Sequence, residues 1–318
     1  MKLIINIPAY NEAEVIGKTV QNMPRTFEGI DEVLVQVIDD GSKDGTAQIS
    51  KEAGADIVIS HPTNRKLGVT FNTAVESALE NGADIMINID ADGQFDSDEI
   101  PTLLKPILEG KADMVVGDRF RAGSADGIPA TKNSLNKLGA KIVSVFLNFD
   151  IHDLTCGFRA HNRETLLRLN RVSGFTYTQE TIIDAIGKHL KIIWIPVTVR
   201  YFEGRQSRVV KSVWKFVNNS TKIIIKAVRD VRPMKFFGIP GVLLVLASFV
   251  TFIIFLNLYL PDLQITPYRN HLLTAIVLLL VGMQFIVFAL VADMIKSNRQ
   301  LTEDMMYQMK KQKYASKK

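Results

Sequence analysis

The chain has 318 residues, a formal net charge of +5 and a mean hydropathy of +0.11. That length gives room for one large domain or two ordinary ones, and the hydropathy is high for a purely soluble enzyme. The single cysteine, Cys156, excludes an internal disulfide and a cysteine-based zinc cluster, and the five histidines are scattered without metal-ligand spacing.

Short apolar runs alternate with helical periodicity from the first residues onward. The pattern predicts strands at 3–7, 32–38, 56–59, 84–89 and 113–116, with helices near 12–23, 45–53, 69–81 and 97–109. The opening LIINIP reads as a strand, so no cleavable signal peptide is expected. This alternation is the signature of an α/β fold with a mostly parallel sheet and helices on both faces. Further along, 131–148 and 179–189 read as helices. Residues 191–202 read as a strand interrupted by Pro196, hence an edge strand. A polar, basic loop, GRQSR, follows at 204–208.

Four strands end in chemistry-bearing residues. The first ends in Pro8-Ala9-Tyr10-Asn11-Glu12, the second in Asp39-Asp40-Gly41-Ser42, the fourth in Asp90-Ala91-Asp92 and the fifth in Gly117-Asp118-Arg119. Open α/β sheets bind ligands at the carboxyl ends of their strands, so all four clusters are expected on one rim. Asp90 and Asp92 stand at i and i+2 of an extended segment and should point to one side. Two carboxylates held close repel unless a positive charge lies between them. A hard divalent cation, Mg²⁺ or Mn²⁺, bridges such carboxylates to substrate phosphates. Alone, the Asp-Ala-Asp-Gly string would read equally well as a solvated turn.

The hydropathy excess is local. Residues 236–261 and 270–292 contain no Asp, Glu, Lys or Arg, and each run is long enough to span a hydrocarbon core of about 30 Å as a helix. Charge divides nearby: residues 1–208 hold 23 Lys and Arg against 28 Asp and Glu, whereas 209–318 hold 15 against 5. The basic part suits anionic lipid headgroups better than nucleic acid. Between them, Lys211, Lys215, Lys222, Lys226 and Arg229 fall within about 60° on a helical wheel, opposite Val213, Val217, Ile224 and Val228. Residues 209–232 are therefore expected to form a basic amphipathic helix in the headgroup layer, ended by Pro233. The expected organisation is a catalytic domain at 1–208, this helix, two spans within 233–295 (about 236–260 and 271–292) and a basic tail at 296–318. Basic residues flank both outer ends of the spans, which places the catalytic domain and both termini in the cytoplasm.

No P-loop, GxGxxG or GxSxG string is present. Carboxylates, a cation and arginines on one rim suit a diphosphate leaving group, whose charge grows as its bond to sugar C1 breaks. At this point the residues resemble a known family. PAYNE at 8–12, DDGSKDGT at 39–46, the loop 64–68, DADGQ at 90–94 and GDRF at 117–120 are similar to family 2 glycosyltransferases of the GT-A fold. DLTCGFRAHNRETL at 153–166, GRQSR and two C-terminal spans narrow the resemblance to polyprenyl-phosphate glycosyltransferases of the dolichol-phosphate-mannose-synthase type, over about residues 3–240.

The resemblance implies a GT-A, Rossmann-like nucleotide-diphospho-sugar transferase domain followed by an interfacial helix and a transmembrane hairpin. It implies that Pro8, Ala9, Tyr10 and Glu12 line the nucleotide pocket, that Asp39 contacts base or ribose, and that Asp40 supports the loop. Asp90 and Asp92 would meet the metal and diphosphate, with Gln94 completing the metal shell. Arg119 would hold the acceptor phosphate, and Arg205 and Arg208 would close over the donor phosphates. Asp153 and Arg159 would brace the site. Two departures stand out: Phe95-Asp96 replace the usual His-Pro-like pair, and Lys132 and Asn136 occupy acceptor positions where an Arg and a Ser are common. Lysine lacks the bidentate fork of arginine.

The expected reaction is inverting transfer of a sugar from a GDP-mannose or UDP-glucose type donor to dolichyl or undecaprenyl phosphate. A homo-oligomer is compatible with this reading, and two spans are too few to flip a lipid-linked sugar, so a separate flippase is expected. Two alternatives compete. A membrane polysaccharide synthase would carry QxxRW and more spans. A non-catalytic nucleotide-binding scaffold would need none of Asp90, Asp92, Gln94 or Arg119.

Overall fold

A computed structural model describes residues 1–121, 130–169, 177–200, 218, 221–222, 224–225 and 228–315, with the backbone alone for 130–138 and 262. It divides into two compact units, Met1–Ile224 together with Glu303–Lys318, and Ile225–Thr302.

The first unit is built on a seven-stranded sheet. In chain order its strands are β1 (Lys2–Ala9), β2 (Glu32–Asp39), β3 (Ile57–Ser60), β4 (Ile85–Asn88), β5 (Met114–Asp118), β6 (Arg159–Asn162) and β7 (Ile192–Pro196). Between them run helices α1 (Ala13–Gln21), α2 (Thr46–Glu52), α3 (Leu67–Glu80), α4 (Ile100–Leu108), α5 (Ala130–Leu147), α6 (Arg163–Arg168) and α7 (Thr178–Gly187). The spatial order is β3-β2-β1-β4-β6-β5-β7. β1, β4 and β5 are buried along nearly their whole length, as their nearly unbroken apolar runs imply for strands of an α/β sheet.

The sheet is mixed, not all parallel. β6 lies antiparallel between β4 and β5, while β5 pairs in parallel with the edge strand β7. The sequence pattern missed β6 because its four residues, RAHN, carry Arg159 and His161 inward in place of apolar side chains. Since β4 and β5 both oppose β6, their carboxyl ends share one rim with those of β1 and β2. The amino end of β6 comes to that same rim and brings residues 153–158 with it. Asn162 then caps α6 directly, its side chain accepting from Thr165 N at 2.8 Å.

The C-terminal residues also belong to this unit. The sequence reading separates 296–318 as a tail, whereas 269–315 is one continuous helix, α9 (Arg269–Ala315; α8 precedes it at Ile239–Asp262). Tyr314 is only 3 % exposed and sits in the apolar cluster of Phe71, Ala74, Ala78, Leu167, Leu169 and Tyr177. Arg163 bridges Ala83 O (2.7 Å) and Tyr314 O (2.9 Å), Lys310 Nζ donates to Leu169 O at 2.6 Å, and Tyr307 OH donates to Glu164 at 3.0 Å. Tyr307 and Tyr314 are seven residues apart and so share a helix face. The surrounding lysines mask that face in a charge count.

In the second unit, α8 and α9 are long and apolar enough to cross a membrane by length and composition. They approach closely at two glycines. A methyl group on Gly282 would lie 2.9 Å from Val245 N and 3.0 Å from Gly241 O. Ser248 Oγ donates to Ala275 O at 2.7 Å. Small residues that let backbones touch are how helices associate where burial from water offers no gain. Most of the expected amphipathic helix, 209–232, lies outside the described residues.

Candidate active site

The ends of β1 and β2 are sewn together. Asp40 N donates to Ala9 O (2.8 Å), Asn11 N to Ser42 Oγ (2.8 Å), Lys43 N to Asn11 Oδ1 (3.0 Å) and Glu12 N to Thr46 Oγ1 (2.9 Å). Asn11 takes a φ of 54°, a left-handed conformation that asparagine tolerates. This turn leaves Pro8 half-buried, Ala9 buried and Tyr10 exposed at the rim, beside Glu12.

Asp39 and Asp40 are both buried. Asp39 Oδ1 accepts from Ser42 N at 3.0 Å and so shapes its own turn. Asp40 organises the loop after β3: it meets His61 Nδ1 at 2.9 Å and accepts from Arg65 N (2.8 Å) and Lys66 N (2.9 Å). Gly41, at φ 78°, allows the two loops to touch, since a side chain there would lie 2.5 Å from the Thr63 carbonyl carbon.

Beyond β4 the chain turns at Asp92, whose Oδ1 accepts from Gln94 N at 3.1 Å across Gly93. Gln94 O in turn accepts from Arg200 N at 2.9 Å, and Phe95 bridges to Val199. The acidic loop is thereby tied to the segment that leads into Arg205 and Arg208. Those two arginines lie outside the described residues, and of Lys132 and Asn136 only the backbone, on α5, is described.

Asp90 is the electrostatic focus. Burial and the neighbouring Asp92 push its carboxyl from the ordinary value up to about 7, while Arg119 and Arg159 pull it down. Arg119 is held in a fork by Asp153, with Nε to Oδ2 at 2.7 Å and Nη2 to Oδ1 at 3.0 Å, and Nη2 also meets Thr155 Oγ1 at 2.5 Å. Asp153 is fully buried and additionally accepts from Thr155 N and Cys156 N. Arg159, fully buried, donates to Cys156 O (2.7 Å), Leu154 O (3.2 Å) and Thr178 O (2.7 Å), which fixes the 153–158 loop from beneath. Among the described residues no group of three or more His, Cys, Asp or Glu side chains could hold a metal ion. Any cation here would share its shell between the two carboxylates, other oxygen donors and a ligand.

Residues absent from the sequence reading stand behind Asp90. Asn6, Gln36 and Asn88 form a buried polar row across three strands, and Tyr177 and Gly157 continue it. The available signal was an asparagine inside each of two otherwise apolar strands, LIINIP and IMINID.

Comparisons with known proteins follow the same lines. Residues 4–169 match the family described as glycosyl transferase family 2. The chain is 33 % identical over 196 residues to glycosyltransferase AglJ of Haloferax volcanii, covering 60 % of each protein. It is 30 % identical over 223 residues to a UDP-N-acetylglucosamine–dolichyl-phosphate N-acetylglucosaminyltransferase of Methanococcus voltae, covering 64 % of this chain and 87 % of that one. A dolichol-phosphate mannosyltransferase of Pyrococcus furiosus is 24 % identical, over 82 % of this chain and 74 % of that one. Among solved structures, glucosyl-3-phosphoglycerate synthase from Mycobacterium tuberculosis, crystallised with Mn²⁺, UDP and phosphoglyceric acid, superposes with a TM-score of 0.55 at 17 % identity, over 71 % of this chain and 78 % of that one.

Proposed function

Because the chain belongs to glycosyl transferase family 2, we propose that it transfers one sugar from a nucleotide-diphosphate sugar to a polyprenyl phosphate at the cytoplasmic face of a membrane. The observation that carries this reading is the joining, in one chain, of an Asp90–Asp92–Arg119 rim to two membrane-length helices. The relatives named as dolichyl-phosphate sugar transferases support it. The donor is of the GDP-mannose, UDP-glucose or UDP-N-acetylhexosamine type, and the acceptor is dolichyl or undecaprenyl phosphate.

In this reading residues 1–208 carry the chemistry, 209–232 lie on the membrane surface and 233–295 anchor the chain. The end of α9 packs in the same unit as the strands, which supports a catalytic part and C-terminus on one side of the membrane. Basic flanks then favour the cytoplasmic side.

The acceptor phosphate is already anionic, so its oxygen attacks C1 without strong general-base help. The C1–oxygen bond to the diphosphate breaks, the anomeric configuration inverts and the nucleoside diphosphate leaves. Positioning and charge neutralisation supply most of the rate. Pro8, Ala9, Tyr10, Glu12, Asp39 and Asp40 form the nucleotide side. Arg119 orients the acceptor phosphate, Lys132 and Asn136 assist it, and Arg205 and Arg208 neutralise the donor. The donor set fits a hard divalent cation, because burial first and the neighbouring Asp92 second raise the Asp90 carboxyl to about 7, so its anionic form calls for a positive partner. Asp90, Asp92 and Gln94 would hold Mg²⁺ or Mn²⁺, which would offset charge on the leaving diphosphate.

The test is a donor panel with a short polyprenyl phosphate and Mn²⁺ or Mg²⁺, reading released UDP or GDP. Acceptor-dependent release from one donor supports the reading. Release from none, or release indifferent to the lipid phosphate, overturns it.

A further inference from the structure

Gly157 lies directly against the Asp90 carboxylate. A methyl group at Gly157 would stand 2.7 Å and 2.8 Å from its two oxygens, closer than carbon and oxygen approach without displacement. Gly157 is not among the glycines with positive φ, so space and not backbone conformation requires the missing side chain.

The carbonyl of Gly157 is fixed from behind. Asn88 Nδ2 donates to it at 3.1 Å and Tyr177 OH at 3.2 Å, while Asn88 Nδ2 also donates to Tyr177 OH at 2.6 Å. Asn88 is held by Asn6 Nδ2 donating to its Oδ1 at 2.6 Å, and Asn6 by Gln36 Nε2 donating to its Oδ1 at 3.0 Å. The Tyr177 ring is stacked on Phe71, with centroids 4.1 Å apart and planes 6° apart. All of these side chains are 2 % exposed or less. The preceding carbonyl, that of Cys156, is held by Arg159 at 2.7 Å. Two successive carbonyls of one loop are thus pinned within an apolar core. A row of aliphatic side chains would stabilise the sheet without the cost of burying amides, whereas a connected polar row specifies one arrangement.

We propose that Gly157 is a positioning residue for Asp90: the Asn6–Asn88–Tyr177 row sets the Gly157 backbone, and that backbone forms the wall against which the Asp90 carboxylate is set toward the cation and diphosphate. This rests on the reading of Asp90 as a cation ligand. The wall confines the carboxylate to the rim side, where Asp92 stands. Gly157→Ala presses on the far end of one side chain and leaves the hydrogen bonds of the row in place. Tyr177→Phe removes one hydroxyl and keeps the stack on Phe71.

The experiment uses the full chain in detergent. Mn²⁺ binding is read by electron paramagnetic resonance without donor, and kcat, donor KM and melting temperature are measured alongside. Gly157→Ala is expected to weaken Mn²⁺ binding roughly 10- to 100-fold and to lower kcat about 100-fold, with donor KM within about threefold of wild type. Tyr177→Phe is expected to move both in the same direction by roughly 10-fold, with a folded protein. Wild-type Mn²⁺ affinity and kcat in folded Gly157→Ala overturn the proposal. Should that variant not fold, Tyr177→Phe decides by the same two readings. A wild-type chain that binds Mn²⁺ yet transfers nothing to polyprenyl phosphate refutes the lipid-acceptor reading and leaves the positioning test standing on binding. A wild-type chain without Mn²⁺ affinity overturns the cation reading itself.

Discussion

Replacing Tyr314 by alanine should destabilise the catalytic unit although it lies near the end of the chain. An aromatic side chain buries roughly 150–250 Å², worth up to about 4–6 kcal/mol at ~25 cal/mol per Å². Tyr314 is 3 % exposed and belongs to the buried cluster that holds Phe71 and Tyr177, so nearly all of that area is lost. A helix end can settle inward after truncation, which recovers part, and measured aromatic-to-alanine losses start near 3 kcal/mol. About 3 kcal/mol corresponds to a fall in melting temperature of about 6–12 °C for a unit of this size. Thermal unfolding in detergent, followed by tryptophan fluorescence, measures it, since Trp194 is in β7 of this unit. Gln312→Ala, on the exposed face of the same turn, should shift the midpoint by less than about 2 °C. A Tyr314→Ala protein melting within a degree of wild type would refute the placement of the helix end in the core. A chain terminated before Glu303 should lose still more, because Tyr307, Lys310 and the Arg163 bridge go with it.

If Asp90 is a cation ligand, cation binding should depend on pH. Its folded value, about 7, lies above the ordinary 3.8, so between those values the folded state holds a proton that the unfolded chain releases. Its contribution to stability therefore declines as pH rises through that window. A bound divalent cation replaces the proton, so Mn²⁺ should raise the melting temperature more at pH 8 than at pH 6, and equal increments would contradict Asp90 as a ligand. In the unit of the two long apolar helices, Gly282→Leu forces a side chain onto Val245 and Gly241 and should cost roughly 1–3 kcal/mol. Unchanged unfolding in detergent would show that α8 and α9 do not meet there. Asp92→Asn should lower transfer by roughly 100-fold or more while the fold survives, because Asp92 sits on the rim and not in the core; near-normal turnover would remove it from the cation site.

The strand ends were legible because apolar runs stop at charged residues, and the spatial order β2-β1-β4-β6-β5 puts Asp39, Asp90 and Arg119 on one rim as the α/β pattern implies. What was not legible is long-range. β6 has no apolar signature, since Arg159 and His161 occupy its inward positions, and only the fold explains how the 153–158 loop reaches Asp90. The fork of Arg119 on Asp153 spans 34 residues and leaves no periodic trace. The placing of Tyr314 in the Phe71 cluster joins chain positions separated by two long apolar helices, and a count of lysines in 296–318 points instead to a basic tail. Asn6 and Asn88 were visible as polar interruptions, but their meaning depends on a strand register that the sequence alone does not supply.

Sugar transfer to a lipid phosphate is read directly in the mass of the lipid. Purified chain, Mn²⁺, a short polyprenyl phosphate and each nucleotide sugar in turn are incubated, and the lipid is extracted for mass spectrometry. With one donor, a species heavier than the polyprenyl phosphate by one sugar residue is expected, and it should be lost in Asp92→Asn. Unmodified polyprenyl phosphate with every donor, or an Asp92→Asn protein that forms the product at the wild-type rate, would contradict it.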